Sequence, residues 1–144
     1  MRIADILRTK TPPDVITVVP ELPLQEAIRV MVDHNVGALV VFDTALRGII
    51  SERDVLRHAA TDVLRLQGAR VGDLMTANVI TITADTDIND VMNLMAAHNI
   101  RHLPVLANDS LIGIISIRDV VNALRVHVET ENHQLHAYIT GTPL

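Results

Sequence analysis

Cysteine and tryptophan are both missing from this 144-residue chain, and phenylalanine and tyrosine occur once each, as Phe42 and Tyr138. Without cysteine there is no disulfide framework, thiol nucleophile, thiol redox centre or thiolate metal site. Without aromatic platforms the bases of a single strand have nothing to stack on, and any bound base has to lie against aliphatic side chains. Cations are few as well: 12 Lys and Arg stand against 17 Asp and Glu, for a net charge of −5, and they are scattered rather than gathered in a stripe. Nucleic acid is therefore not an expected partner. The six glycines form neither a G-x-G-x-x-G nor a P-loop pattern, which disfavours a Rossmann cofactor site and a Walker-type ATPase. No hydrolytic triad stands out, so no enzymatic activity is expected. Long apolar runs are lacking too, and the opening MRIADILRTKTPPDV has no secretory h-region or cleavage site. These features point to a soluble, cytoplasmic protein without a membrane partner.

What is present is a globular composition, 49% apolar and 20% charged, on a chain long enough for one core or for two half-size units that share one. Sliding the sequence over itself by 64 places sets Val15–Val55 on Val79–Val120, with one extra residue in the second loop. Of the 41 positions from Val15 to Val55, 16 are identical in the second copy, where composition alone would give about two or three. A shorter echo precedes each copy, Arg2-Ile3-Ala4-Asp5-Ile6 matching Arg70-Val71-Gly72-Asp73-Leu74. The repeats are thus expected over 1–67 and 68–126, followed by a helical tail over 127–144. Two copies close naturally on each other about an approximate twofold axis, with a cleft at the middle.

Within each copy the hydrophobic period changes in a fixed order. Val15–Val19 and Val79–Thr83 are β-branched runs and predict strands. Leu24, Ala27, Ile28, Met31 and Val32 then fall on one helix face, as do Ile88, Val91, Met92, Met95 and Ala96. Asn35 and Asn99 follow, suited to the left-handed conformation that ends a helix. Ala38–Phe42 and Leu103–Leu106 predict buried strands, Arg47–Ile50 and Ile112–Ile115 their partners, and helix resumes at Asp54 and Asp119. The expected fold is α/β (α+β): two βαββα repeats and a C-terminal helical extension.

The strongest local signal is Gly48-Ile49-Ile50-Ser51-Glu52-Arg53-Asp54, repeated as Gly113-Ile114-Ile115-Ser116-Ile117-Arg118-Asp119. Ser with an acidic residue three positions on is a capping box, and capping alone accounts for Ser51 or Asp54. The same terminus offers backbone N–H groups and a hydroxyl to a phosphate, and a carboxylate that can accept both hydroxyls of a ribose. Arg53 and Arg118 add charge for phosphate oxygens.

These segments, together with Val71-Gly72-Asp73-Leu74-Met75 and Arg101-His102-Leu103-Pro104-Val105, resemble a tandem pair of cystathionine-β-synthase (CBS) domains, a Bateman module. The likeness runs from Arg2 to about Leu124. It implies a regulatory module, not an enzyme, that binds AMP, ADP or ATP, with NAD or S-adenosylmethionine as related ligands, in clefts between the repeats. Occupancy would be passed to a regulated protein that the sequence does not identify. By this resemblance Asp54 and Asp119 hold ribose hydroxyls, and Ser51 and Ser116 lie near ribose or phosphate. The backbone at Ile3-Ala4 and Val71-Gly72, with the strands after Thr17 and Thr81, frames the adenine. Arg101 and His102 meet phosphates.

The first copy departs from that pattern, with Gly37 and Ala38 in place of Arg101 and His102 and Val40 in place of Pro104. One better site, drawing on Arg101 and His102, and one weaker or empty site are therefore expected; which Asp serves which stays open. No metal is expected, because His34 and His98 occupy equivalent helix ends and His133 and His136 fall in a polar tail. The tail places Leu124, Val128, Leu135 and Tyr138 along a loose seam, suited to folding back on the module or to a homodimer, which the family resemblance favours. A ligand-free dimerisation or interaction module is the alternative, with Ser51, Asp54, Ser116 and Asp119 acting only as caps.

Overall fold

The computed structural model describes residues 1–10 and 15–141. Residues 11–14 of the expected first repeat and 142–144 of the expected tail lie outside the described residues.

The chain opens with helix α1 (Ile3–Thr9), and the first repeat follows as β1 (Thr17–Val18), α2 (Leu24–His34), β2 (Ala38–Phe42), β3 (Leu46–Ser51) and α3 (Glu52–Thr61). A short 3₁₀ turn at Val63–Leu66 leads to α4 (Val71–Leu74), the counterpart of α1. The second repeat supplies α5 (Ile88–His98), β4 (His102–Ala107), β5 (Ser110–Ser116) and α6 (Ile117–Thr140). Helices α2 and α5 end as their sequence periods predict, with Asn35 and Asn99 in the left-handed region at φ 51°. The tail is no separate element, since α6 runs unbroken from the cap at Ser116 through residue 140. Among the described residues no helix is long and apolar enough to cross a membrane.

The two sheets share their hairpin geometry and differ at their leading edge. Strands β2 and β3 pair antiparallel with Leu39 opposite Ile50 and a register shift after Val41. Strands β4 and β5 repeat this with Leu103 opposite Ile115 and a shift after Val105, the equivalent place. In the first sheet β1 adds a parallel ladder, Thr17 to Val40 and Val18 to Val41. The expected strand Val79–Thr83 shrinks to a single bridge between Ile82 and Val105. Pro104 is the reason. Its counterpart Val40 donates its N–H to the Ile16 carbonyl at 3.3 Å, whereas proline has no N–H to give. What survives is Ile82 donating to the Pro104 carbonyl at 3.1 Å and Leu106 donating to Ile82 at 2.9 Å.

The cores are built across the repeats. Ile3 and Ile6 of α1 pack with Ile82, Ile88, Val91, Met95, Leu103, Val105, Ile115 and Val120 of the second repeat. Val71 and Leu74 of α4 pack with Val18, Leu24, Ala27, Met31, Leu39, Val41 and Ile50 of the first. Each unit has thus exchanged its leading helix. Backbone bonds seal the exchange: Ile3 and Ala4 donate to Thr86 and Ala84, and Val71 and Gly72 donate to Leu22 and Pro20, all at 2.9–3.0 Å.

The motif glycines admit the exchanged segments. A Cβ at Gly48 would stand 2.5 Å from the Thr76 carbonyl, and one at Gly113 would stand 2.7 Å from Leu7 Cδ2. Only a residue without a side chain lets the chain after α4 lie on β3, where Ile49 and Thr76 exchange N–H···O bonds of 3.0 and 2.9 Å.

Ile3 is fully buried, so Ile3→Ala is expected to lower stability by about 2–5 kcal/mol. Urea unfolding followed by circular dichroism checks this; a loss below 1 kcal/mol would show that α1 is not part of the second core.

Candidate functional site

Each motif segment ends a strand and starts a helix, and a reciprocal cap fixes the turn. Ser51 donates its N–H to Asp54 Oδ2 at 2.9 Å, while Asp54 N–H reaches back to Ser51 Oγ at 3.4 Å. Ser116 and Asp119 repeat this at 2.8 and 3.1 Å. The capping reading of the motif is therefore realised in both copies. What differs is the third partner of each carboxylate.

Asp54 is 8% exposed, the one charged side chain among the described buried residues. Its Oδ2 also accepts from the Ser51 hydroxyl at 3.1 Å, and its Oδ1 accepts from Thr76 Oγ1 at 3.2 Å. It borders a cleft of about 440 Å³ between the repeats, a size ordinary for a small-molecule site. From the first repeat Ser51, Glu52, Arg53 and Arg57 line it, and from the second Thr76, His98, Arg101 and His102. Arg53 closes across the join by donating to the Asn99 carbonyl at 3.0 Å. Ile49, Leu56 and Ile100 give the same cleft an aliphatic wall.

Asp119 meets a cation instead. Lys10 Nζ donates to Asp119 Oδ2 at 2.9 Å and to the Ile114 carbonyl at 2.6 Å. Burial alone would raise the Asp119 pKa, but the Lys10 hydrogen bond and the Ser116 N–H outweigh it and hold the carboxyl below its ordinary range.

His102 sits on β4 opposite Ser116 and also faces the Asp54 cleft, so it lies between the two carboxylates. Desolvation pushes its pKa below 6.5, Lys10 and Arg101 push the same way, and Asp119 and Glu52 oppose them. Burial therefore favours the neutral imidazole.

The remaining expected site residues lie elsewhere. Ile3, Ala4, Val71 and Gly72 have their N–H groups engaged by the helix exchange. Pro104 is buried in β4, and Arg118 is exposed on the first turn of α6. Thr81 is exposed beside the Ile82 bridge. Thr17 borders a larger cavity of about 670 Å³ at the hairpin ends, with Val15, Phe42, Thr44 and residues 109–112. Among the described residues that line it Asp109 is the one charged side chain, and it would repel a phosphate. Among the described residues no three His, Cys, Asp or Glu side chains gather where an ion could be held.

Sequence reasoning missed Glu52, Arg57, Thr76 and His98 as cleft residues. Arg57 was within reach, one helical turn beyond Asp54 on α3. Thr76 and His98 arrive from the other repeat, and no local pattern announces them.

The model of the CBS domain family matches residues 3–61 and 71–126. A CBS domain-containing protein of Arabidopsis thaliana, CBSX3, named as mitochondrial, is 42% identical over 122 residues, which cover 81% of this chain and 59% of that one. The crystal structure of the CBS-domain protein ATU1752 from Agrobacterium tumefaciens superposes with a TM-score of 0.81 at 35% identity, over 85% of this chain and 98% of that one. The CBS domain pair of protein MJ0100, solved with 5′-methylthioadenosine and S-adenosyl-L-methionine, superposes at 0.75 with 26% identity, over 88% and 98% of the two chains. The exchanged pair of capped β-hairpin units, joined across a central cleft, is thus a tandem CBS pair, and the chain belongs to the CBS domain family.

Proposed function

We propose that the chain is a regulatory module that binds one adenosine-containing ligand, AMP, ADP or ATP in the first instance, in the Asp54 cleft. The observation that carries this reading is the buried Asp54 carboxylate bordering the same inter-repeat cleft as Arg53, Arg57 and Arg101. A carboxylate accepts the paired hydroxyls of a ribose, and guanidinium groups take phosphate oxygens. Ile49, Leu56 and Ile100 offer aliphatic faces to a purine. The adenosyl ligands of MJ0100, a protein of the same fold, support the class and leave NAD and S-adenosylmethionine as related candidates.

Because both repeats line the cleft, a ligand that fits one relative placement better than another shifts the pair toward it, by no more than its differential affinity. A protein outside this chain would read that placement. Self-association is the companion proposal: Val121, Val128, Leu135 and Tyr138 of α6 are 51–86% exposed, a stripe suited to a second copy of the chain.

The competing reading, a ligand-free interaction module, draws on Ser51 and Asp54 satisfying each other without help. Asp54→Asn separates the two. On the nucleotide reading it weakens AMP binding in isothermal titration by about 1.5–3 kcal/mol, or roughly ten- to a hundredfold. On the module reading stability falls by about 1 kcal/mol as a cap weakens and no titration signal exists to lose.

A second expectation concerns pH. A phosphate bound near His102 would raise its depressed pKa, so binding takes up a proton and tightens as pH falls from 7.5 to 6. The phosphate's own titration opposes this, and His102→Gln isolates it; equal pH profiles for both proteins would remove His102 from the site. Finally, Leu135→Asp with Tyr138→Asp should yield a monomer in sedimentation, and an unchanged mass would leave α6 out of the interface.

A further inference from the structure

The two motif carboxylates are capped alike and partnered differently. At Asp54 the added partner is the Thr76 hydroxyl, a neutral group that can turn to donate or accept. At Asp119 it is an ammonium, held by the carboxylate on one side and by the Ile114 carbonyl on the other. The Lys10 and Asp119 side chains are 26% and 20% exposed, so the pair sits in a recess rather than on open surface. Resting on the nucleotide reading above, we infer that Lys10 is a built-in occupant of the Asp119 position, and that it limits the chain to one bound nucleoside where the duplicated motif would offer two.

The argument is one of place and charge. Asp119 Oδ2 already accepts from the Ser116 N–H at 2.8 Å and from Lys10 Nζ at 2.9 Å, which fills both of its lone-pair positions, so a hydroxyl donating to it has to displace the ammonium. Evicting the ammonium breaks a charge-assisted bond and strips the Ile114 carbonyl of its donor together. Among the described residues no cation is bonded to Asp54, whose neighbours Ser51 and Thr76 are hydroxyl donors that a ribose can replace in kind. The lysine reaches its post through the helix exchange: α1 lies against β5 and α6, and Lys10 follows it directly. The equivalent residue after α4 is Asn78, which carries no charge.

The cationic surroundings fall the same way. Arg101 and His102, second-copy residues, line the Asp54 cleft with Arg53 and Arg57. Their first-copy counterparts Gly37 and Ala38 bring no side chain able to hold a phosphate. At the Asp119 position Lys10 is turned inward onto the carboxylate.

Titration calorimetry with AMP, and in parallel with S-adenosylmethionine, tests this on the full chain. The wild type should bind one equivalent, lost in Asp54→Asn. Lys10→Met should bind two, and adding Asp119→Asn should remove the second; Lys10→Arg, which keeps the cation, should stay at one. One equivalent in both wild type and Lys10→Met overturns the inference and leaves the Asp54 reading standing. Two equivalents in the wild type also overturns it. No heat with either ligand for any variant overturns the nucleotide reading and this inference with it.

Discussion

The structure depends first on an exchange of apolar side chains between the two repeats. Ile3 and Ile6 complete the second core, and Val71 and Leu74 complete the first. A half cut at the repeat boundary would therefore lose part of its own interior and expose part of its neighbour's. Burial of one such side chain is worth about 1.5–3 kcal/mol, a large fraction of the stability of a domain this size. The cleft inherits the consequence. Because neither repeat is complete alone, the surfaces flanking the join are held against each other, and Arg53 reaches Asn99 across it.

The glycine that opens each motif ties this exchange to the site. Gly48 and Gly113 leave room for the incoming Thr76 backbone and for Leu7. The segments they admit then bring Thr76 to Asp54 and Lys10 to Asp119. Packing and chemistry are thus consequences of one close approach made twice, with the identity of the arriving residue deciding what each carboxylate can do next.

Much of this was legible from residue patterns, for physical reasons. Helices α2 and α5 carry a full apolar face and an Asn able to adopt positive φ, two independent signals that agree. The hairpins follow from short apolar runs on either side of a polar turn. The strand at Val79–Thr83 was over-read because β-branched residues describe a willingness to be extended, whereas a ladder also needs a donor on the neighbour, and Pro104 has none. The helix exchange left no local trace, since an apolar residue is equally suited to either core. The pKa of His102 was not legible for a related reason: burial lowers it, and of the charges that act on it only Arg101 is a sequence neighbour, while Lys10, Asp119 and Glu52 arrive by folding.

Duplication usually suggests two equal sites, and here the fold is repeated more faithfully than the chemistry. Both copies keep the Ser–Asp cap because it terminates a strand and starts a helix, a need independent of any ligand. Nothing in that role constrains the residues beyond the cap. Arg101 and His102 against Gly37 and Ala38, and Glu52 against Ile117, lie in this unconstrained layer, as do Thr76 and Lys10, the third partners of the two carboxylates. A motif held in place by local folding reports where a site can form; the residues delivered from the other repeat determine whether it is open. In this chain they leave Asp54 facing a cleft and close a salt bridge over Asp119.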